Sequence, residues 1–340
     1  LAGQDGETRV FRFTAGALKD ADSREFGVSY TENDASVTIA KPFFAVGLEV
    51  NRESAPTIVA KAGESISGLL SWTNALPTPI QDGAITVQLS GDALNASQVN
   101  ATNGFYQSST RTVRFDRDTS SGLALLGPGD TGNGSFTFTT KTGSALNALR
   151  NPVITLAVSV SGRRSGQNGA TETVSSTIVR TVKIQSDLSF SMNALRTTGP
   201  FTNTGPWPPE ADKESTYTIR LTAGNTVNTV ANTEAKMTLP SYVRYTGQTS
   251  GGTVKYNEAT REVVWSLGDV GPGAAREASF QVALLPSVSQ KGTSPTLVSD
   301  AVLTGFDRFV QKQLSVTAFS VNTQTKTDPN YQYDAGVVKQ

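Results

Sequence analysis

Thr260-Arg261-Glu262-Val263-Val264-Trp265 is echoed upstream by Thr110-Arg111-Thr112-Val113-Arg114-Phe115. Each copy is followed by a Gly-Pro-Gly turn, Gly127-Pro128-Gly129 and Gly271-Pro272-Gly273. Each turn leads into a strand-like run, Gly134-Ser135-Phe136-Thr137-Phe138 and Ala278-Ser279-Phe280-Gln281-Val282. The repeat is roughly 140 residues long, a whole domain rather than one coil of a solenoid.

Outward from that stretch, apolar residues alternate at period two, the signature of half-buried strands. Leu69–Thr73, Ala84–Leu89, Ile154–Val160, Ser215–Leu221 and Leu314–Phe319 all follow it. Helical patterning is confined to Ala145–Arg150. Asn103-Gly104, Asn168-Gly169 and Gly251-Gly252 punctuate the strands as turns. The reading is all-β: tandem Ig-like antiparallel β-sandwiches. Residues 44–186 and 187–320 are the two sandwiches, with matched strand lists. Gln185-Ser186-Asp187 joins them with almost no linker, so end-to-end domains are expected.

The remaining segments are less regular. Residues 1–43 read as the C-terminal part of a further Ig-like domain. Asp5–Phe13, Glu25–Tyr30 and Ala35–Ile39 would be its last three strands. Val10, Phe11, Phe13, Phe26, Val28, Tyr30, Val37 and Ile39 are core-type residues that three strands alone would leave uncovered. Such a segment is either the cut end of a longer chain or is completed by strands from a neighbouring molecule. Residues 321–340 are polar and read as a linker or tail.

Composition narrows the chemistry. The 340 residues contain neither cysteine nor histidine, and 29 basic residues balance 29 acidic ones. Without cysteine there are no disulfides or thiolate nucleophiles, and without histidine the commonest general base and metal ligand is gone. No basic block marks a nucleic-acid partner, and no apolar run is long enough to span a membrane as a helix.

The second unit resembles the Ig-like repeats of bacterial and archaeal surface proteins: the cell-adhesion-related CARDB domains and the conserved domain of unknown function eleven. Lys213–Ile219, Ala235–Pro240, Val243–Thr246, Tyr256-Asn257, Val263–Leu267 and Gly271-Pro272-Gly273 carry the resemblance. The first unit follows more loosely, with Phe115 for the tryptophan and Leu89-Ser90 for Leu-Pro. The resemblance implies an extracellular stalk, adhesin or surface-layer component with no defining catalytic residues.

Several constellations remain. Trp72 and Trp265 read as core aromatics between sheets, with an exposed sugar-stacking platform as the rival. Trp207, within Gly205-Pro206-Trp207-Pro208-Pro209, caps a sandwich end or forms an interface, as would Val10, Phe11 and Phe13. Asp116 with Asp118, and Asp20 with Asp22, are weak calcium candidates; the complete Asp-x-Asp-x-Asp-Gly loop is missing. Solvated turn acids are the plainer reading. Asn95, Asn100 and Asn133 each head an Asn-x-Ser/Thr glycosylation acceptor. No paired-acid motif suggests an enzyme. The expected function is a structural cell-surface protein that self-associates into a lattice or filament, or continues into neighbouring domains. The alternative is an adhesin or a module binding a carbohydrate or host protein.

Overall fold

The computed structural model describes residues 8–20, 22, 24–38, 44–165 and 171–340. The chain is 59% strand and 3% helix, and it forms antiparallel Ig-like β-sandwiches. Its contacts divide it into two units. One comprises Leu1–Ile58, Glu64–Thr140 and Val153–Val182; the other comprises Val59–Gly63, Lys141–Pro152 and Lys183–Gln340.

The first sandwich runs through β3 (Phe44–Val50), β4 (Thr57–Ala60), β5 (Ser65–Asn74), β6 (Ile80–Ser90), β7 (Leu94–Thr102), β8 (Phe105–Gln107), β9 (Thr112–Phe115), β10 (Leu125–Leu126), β11 (Thr131–Thr140), β12 (Val153–Ser165) and β13 (Thr171–Ile184). One sheet has the order β3-β5-β11-β7, and the other β4-β13-β12-β6-β9-β8 with β10 beside β6. The second sandwich uses β14 (Leu188–Leu195), β15 (Ser215–Asn225), β16 (Val230–Thr238), β17 (Val243–Ser250), β18 (Thr253–Asn257), β19 (Glu262–Val270), β20 (Ala275–Leu284), β21 (Thr296–Val298), β22 (Ala301–Asp307), β23 (Lys312–Ala318) and β24 (Val321–Asn322). Its sheets are β14-β15-β20-β17 and β18-β19-β16-β22-β23, with β21 and β24 paired separately. The four-stranded sheets share one order, and β8-β9-β6-β12-β13 corresponds to β18-β19-β16-β22-β23, while β4 and β10 have no counterpart in the second sandwich's five-stranded sheet. Both give the four-plus-three arrangement of an Ig constant domain, extended by one hairpin beyond the middle strand.

Alternation along the strands builds the cores. In β5, Ile66, Leu70 and Trp72 face inward, as do Phe136 and Phe138 of β11. Trp265, Phe280, Tyr217 and Ile219 fill the second core. Trp72 is 4% exposed and Trp265 2% exposed, so neither is a sugar platform. Trp72 meets Phe115 at 6.3 Å between ring centroids, and Phe190 meets Trp265 at 6.5 Å.

The sequence echo has a structural cause. Arg111 and Arg261 turn the β8–β9 and β18–β19 hairpins with φ of 54° and 58°. Their carbonyls accept from the backbone N–H of Leu89 and Leu239, each at 3.0 Å. The Gly-Pro-Gly segments are type II turns, with Gly129 at φ 79° and Gly273 at φ 67°, a position that favours glycine. Asn74 clamps the first: its Nδ2 donates to the carbonyls of Thr78, Leu126 and Gly127. Asn225 clamps the second through the carbonyls of Asn228, Val270 and Gly271.

Three expectations need correction. Residues 26–38 form one strand, β2 (Phe26–Thr38), which pairs with β1 (Thr8–Leu18) in a two-stranded hairpin rather than a three-stranded sheet. The polar run Thr31–Asp34, which resembles a turn, stays extended because Asp34 lies opposite Arg12 and accepts a forked hydrogen bond at 2.9 and 3.1 Å. Asp5–Glu7, Ile39 and the Asn168-Gly169 turn fall outside the described residues.

Residues 321–340 are a strap rather than a linker or tail. β24 pairs with β21, Lys339 bridges Glu210, and Ala335 and Val338 are buried. Finally, β7 and β17 are strands that the alternation pattern missed. Both are edge strands with a register shift, and polar residues fall on both their faces.

Candidate functional site

The predicted site residues fall in separate places. Val10, Phe11 and Phe13 lie on the β1–β2 hairpin and are 62%, 37% and 62% exposed. The register puts Arg9, Phe11, Phe13, Ala15, Thr31, Asn33, Ala35 and Val37 on one face, and Val10, Arg12, Asp34 and Glu32 on the other. One face of a two-stranded ribbon therefore leaves Phe11, Phe13 and Val37 open to solvent between polar residues.

Trp207 sits half-buried in its proline-rich loop, and its Nε1 is buried with no partner. The loop is tied to the strap: Lys339 N–H donates to the Pro209 carbonyl at 2.7 Å, and Ala211 N–H to the Lys339 carbonyl at 3.1 Å. Trp207 belongs to the end of the second unit that the strap closes.

The acidic candidates are engaged in turns and ion pairs. Asp20 accepts from the backbone N–H of Asp22, a local Asx turn. Asp116 accepts from Arg114 at 2.7 Å and from the N–H groups of Asp118 and Thr119. Burial pushes its carboxyl up, but these hydrogen bonds outweigh it and hold the pKa below the usual value. Asp82, bonded to Arg163 and Arg117, is held low chiefly by its hydrogen bond from Arg163. Asp82, Arg114, Asp116, Arg117, Asp118 and Arg163 line a cleft of about 270 Å³ in which arginines face the carboxylates. Among the described residues no group of three acids is arranged to hold a metal.

Asn95, Asn100 and Asn133 come together on one sheet, on β7 and β11. Asn100 is opposite Thr137 and, with Asn133, is exposed; Asn95 is half-buried and accepts from Ser97 at 2.8 Å.

Sequence reading missed one further site. The edge strands β17 and β18 belong to different sheets of the second sandwich and flank its open side. Tyr245 of β17 and Tyr256 of β18 stack across that opening, with centroids 4.9 Å apart and planes 19° from parallel. Tyr245 also meets Phe280 at 6.0 Å. Burial raises the Tyr245 pKa. Around the pair, Tyr242, Ser241, Glu214, Arg244, Glu258 and Arg261 line a groove of about 730 Å³, a volume typical of small-molecule sites. The signal lay in Tyr242, Tyr245 and Tyr256, but only the folding of two sheets brings them together.

No family model matches the chain, so the CARDB and unknown-function-eleven resemblance stays a resemblance. No curated protein matches it either. Solved structures similar to it include the C-terminal domain of the Streptococcus pyogenes antigen I/II-family protein AspA. That match has 9% identity, covers 82% of this chain and 99% of that one, and has a TM-score of 0.32. The full-length major pilin SpaD from Corynebacterium diphtheriae matches at 12% identity, covering 72% and 60%, with a TM-score of 0.31. BcpA, the major pilin subunit of Bacillus cereus, matches at 7% identity, covering 94% and 83%, with a TM-score of 0.28. Likenesses this distant carry no functional argument. Among the described residues, no helix is long and apolar enough to cross a membrane.

Proposed function

We propose that this chain is a structural, non-catalytic segment of an extracellular cell-surface protein, working as a stalk or as a subunit of a lattice or filament. The observation that carries the reading is the pairing of two like sandwiches with an exposed β-ribbon. The sandwiches repeat one strand plan and one buried asparagine clamp, which serves rigidity rather than chemistry. Asp82 and Asp116 are paired with arginines and Asp20 forms a local turn, the arrangement of a solvated surface rather than of a general acid–base pair.

The ribbon supplies the contact. Its position before β3 parallels that of β12–β13 before β14. Strands from another part of a longer polypeptide or from a second molecule would cover Phe11, Phe13 and Val37. A second molecule would make a head-to-tail contact, which propagates into a filament.

Deleting residues 1–42 tests the intermolecular version. The truncated protein is expected to keep both sandwiches while losing any filament or lattice seen by electron microscopy. Assembly with unchanged spacing would mean that the ribbon is not the intermolecular contact. The second reading, a ligand-binding module, is favoured by the tyrosine groove.

A further inference from the structure

We infer that the groove between β17 and β18 is a binding site for an uncharged saccharide, stacked on Tyr256 and hydrogen-bonded through Glu258 and the tyrosine hydroxyls. This assignment rests on the ligand-binding reading of the chain and is independent of the stalk or filament role.

The duplicated sandwich supplies the comparison. In the first sandwich, Tyr106 is opposite Val113, as Tyr256 is opposite Val263 in the second. Tyr106 donates its hydroxyl to the Ala96 carbonyl at 3.0 Å, closing the edge with a hydrogen bond. Ala96 is the second residue after Asn95's predecessor Leu94 on β7, just as Tyr245 is the second after Val243 on β17. The second sandwich thus carries Tyr245 where the first has alanine. Its edge is closed by two stacked rings, and among the described residues neither the Tyr245 nor the Tyr256 hydroxyl makes a hydrogen bond. The framework does not require that change, since the first sandwich closes without it.

Charge accounting selects the ligand class. Arg244 holds both carboxylate oxygens of Glu214 at 2.9 Å. Arg261 turns its guanidinium onto the carbonyls of Leu239, Pro240 and Val243. Both cations are engaged, so an anionic ligand has no ready partner. Glu258 is exposed and forms neither of these ion pairs. What remains uncommitted is one carboxylate, three phenols and the Ser241 hydroxyl beside the exposed Leu285.

A carboxylate accepts from paired sugar hydroxyls, and an aromatic face takes the C–H side of a pyranose. A cation would need several ring faces around it. Here Tyr245 and Tyr256 stack on each other and Tyr245 meets Phe280 at a tilt, so the rings pack together rather than surround a cavity as a cage.

The test uses the full 340-residue chain. It is applied to an array of neutral oligosaccharides, their sialylated and sulfated counterparts, and a choline conjugate, and each hit is titrated by calorimetry. Neutral saccharides should be retained. Glu258→Gln and Tyr256→Ala should each weaken binding about tenfold or more, and Tyr242→Phe by less. Tyr106→Phe in the first sandwich should leave it unchanged. Thermal melting shows whether each variant is folded; Glu258→Gln lies on the surface, so the test does not depend on Tyr256→Ala folding. Retention of choline alone, or of acidic glycans alone, overturns the inference. So does failure to bind any neutral saccharide, or binding that Glu258→Gln leaves intact.

Discussion

Asn74 and Asn225 occupy the same place in the two sandwiches, and the side-chain amide of each ties one carbonyl of the loop after its own strand to two carbonyls at its Gly-Pro-Gly turn. Asn74 is fully buried and Asn225 is 6% exposed. The backbone N–H of Asn74 donates to Asp130, and that of Asn225 to Ala274, each just after the turn. The clamp joins the end of one strand of the first sheet to the loop that enters the third. It fixes where the chain crosses between sheets.

Replacing either residue by alanine removes the amide and its three hydrogen bonds, while the Gly127 and Gly271 carbonyls keep their turn bonds from the Asp130 and Ala274 N–H groups. Asn74→Ala and Asn225→Ala are each expected to destabilise their own sandwich by about 2–4 kcal/mol. Chemical denaturation followed by fluorescence reads this out in chains that keep one tryptophan, Trp72 for the first core or Trp265 for the second, with Trp207 and the other core tryptophan replaced by phenylalanine. A midpoint shift in both cores from one substitution would contradict independent clamps.

The cores contain another matched pair. A Cβ on Gly104 would sit 2.6 Å from the Phe115 ring, and one on Gly252 would sit 2.7 Å from Trp265 Nε1. These glycines precede β8 and β18 and make room for the aromatic that closes each sandwich. Gly104→Ala and Gly252→Ala should each cost about 1–3 kcal/mol by overpacking, measured as a fall in melting temperature. Unchanged melting would show that the rings move aside freely.

These pairs explain what the sequence discloses and what it hides. The Gly-Pro-Gly turns and the Thr-Arg echo are legible because each needs particular backbone torsions or hydrogen bonds, which restrict residue choice. β7 and β17 are hidden because an edge strand has one free side and tolerates polar residues such as Asn95, Ser97, Arg244 and Thr246. The strap is hidden for a different reason. Thr323 and Asp328 are polar residues buried through side-chain hydrogen bonds, so a search for apolar periodicity passes over them. Tyr242, Tyr245 and Tyr256 were visible as residues, but their convergence depends on the meeting of two sheets' edges.

The hairpin face gives a prediction on assembly. Phe11→Ser with Phe13→Ser removes two exposed rings on one face, so melting of the two sandwiches should change by less than about 0.5 kcal/mol. Sedimentation at rising concentration should then show weaker self-association than the parent chain. Equal association would exclude this face as the contact between molecules.

The strap adds a pH-dependent prediction. Asp328 accepts from the N–H of Arg196 at 2.6 Å, the N–H and hydroxyl of Thr197 at 2.7 and 2.5 Å, and the N–H of Asn330 at 3.0 Å. Burial raises its pKa, but the hydrogen bonds beginning with that from the Thr197 hydroxyl outweigh burial, and the net shift is downward from 3.8. A carboxyl whose folded value is depressed stabilises the fold above its unfolded value, and the contribution fades as pH falls through the folded value. The strap should therefore be held firmly at neutral pH and loosen only below about pH 3.8. Hydrogen exchange of residues 321–340 measured between pH 7 and pH 3 should show protection declining at the acid end, after correction for the intrinsic rate. Asp328→Asn removes acceptor capacity from a buried site. It should cost about 1–3 kcal/mol of strap protection at neutral pH and erase most of the acid dependence. If Asp328→Asn keeps the parent's acid profile, some other group governs the strap, and the carboxylate contributes no more than packing.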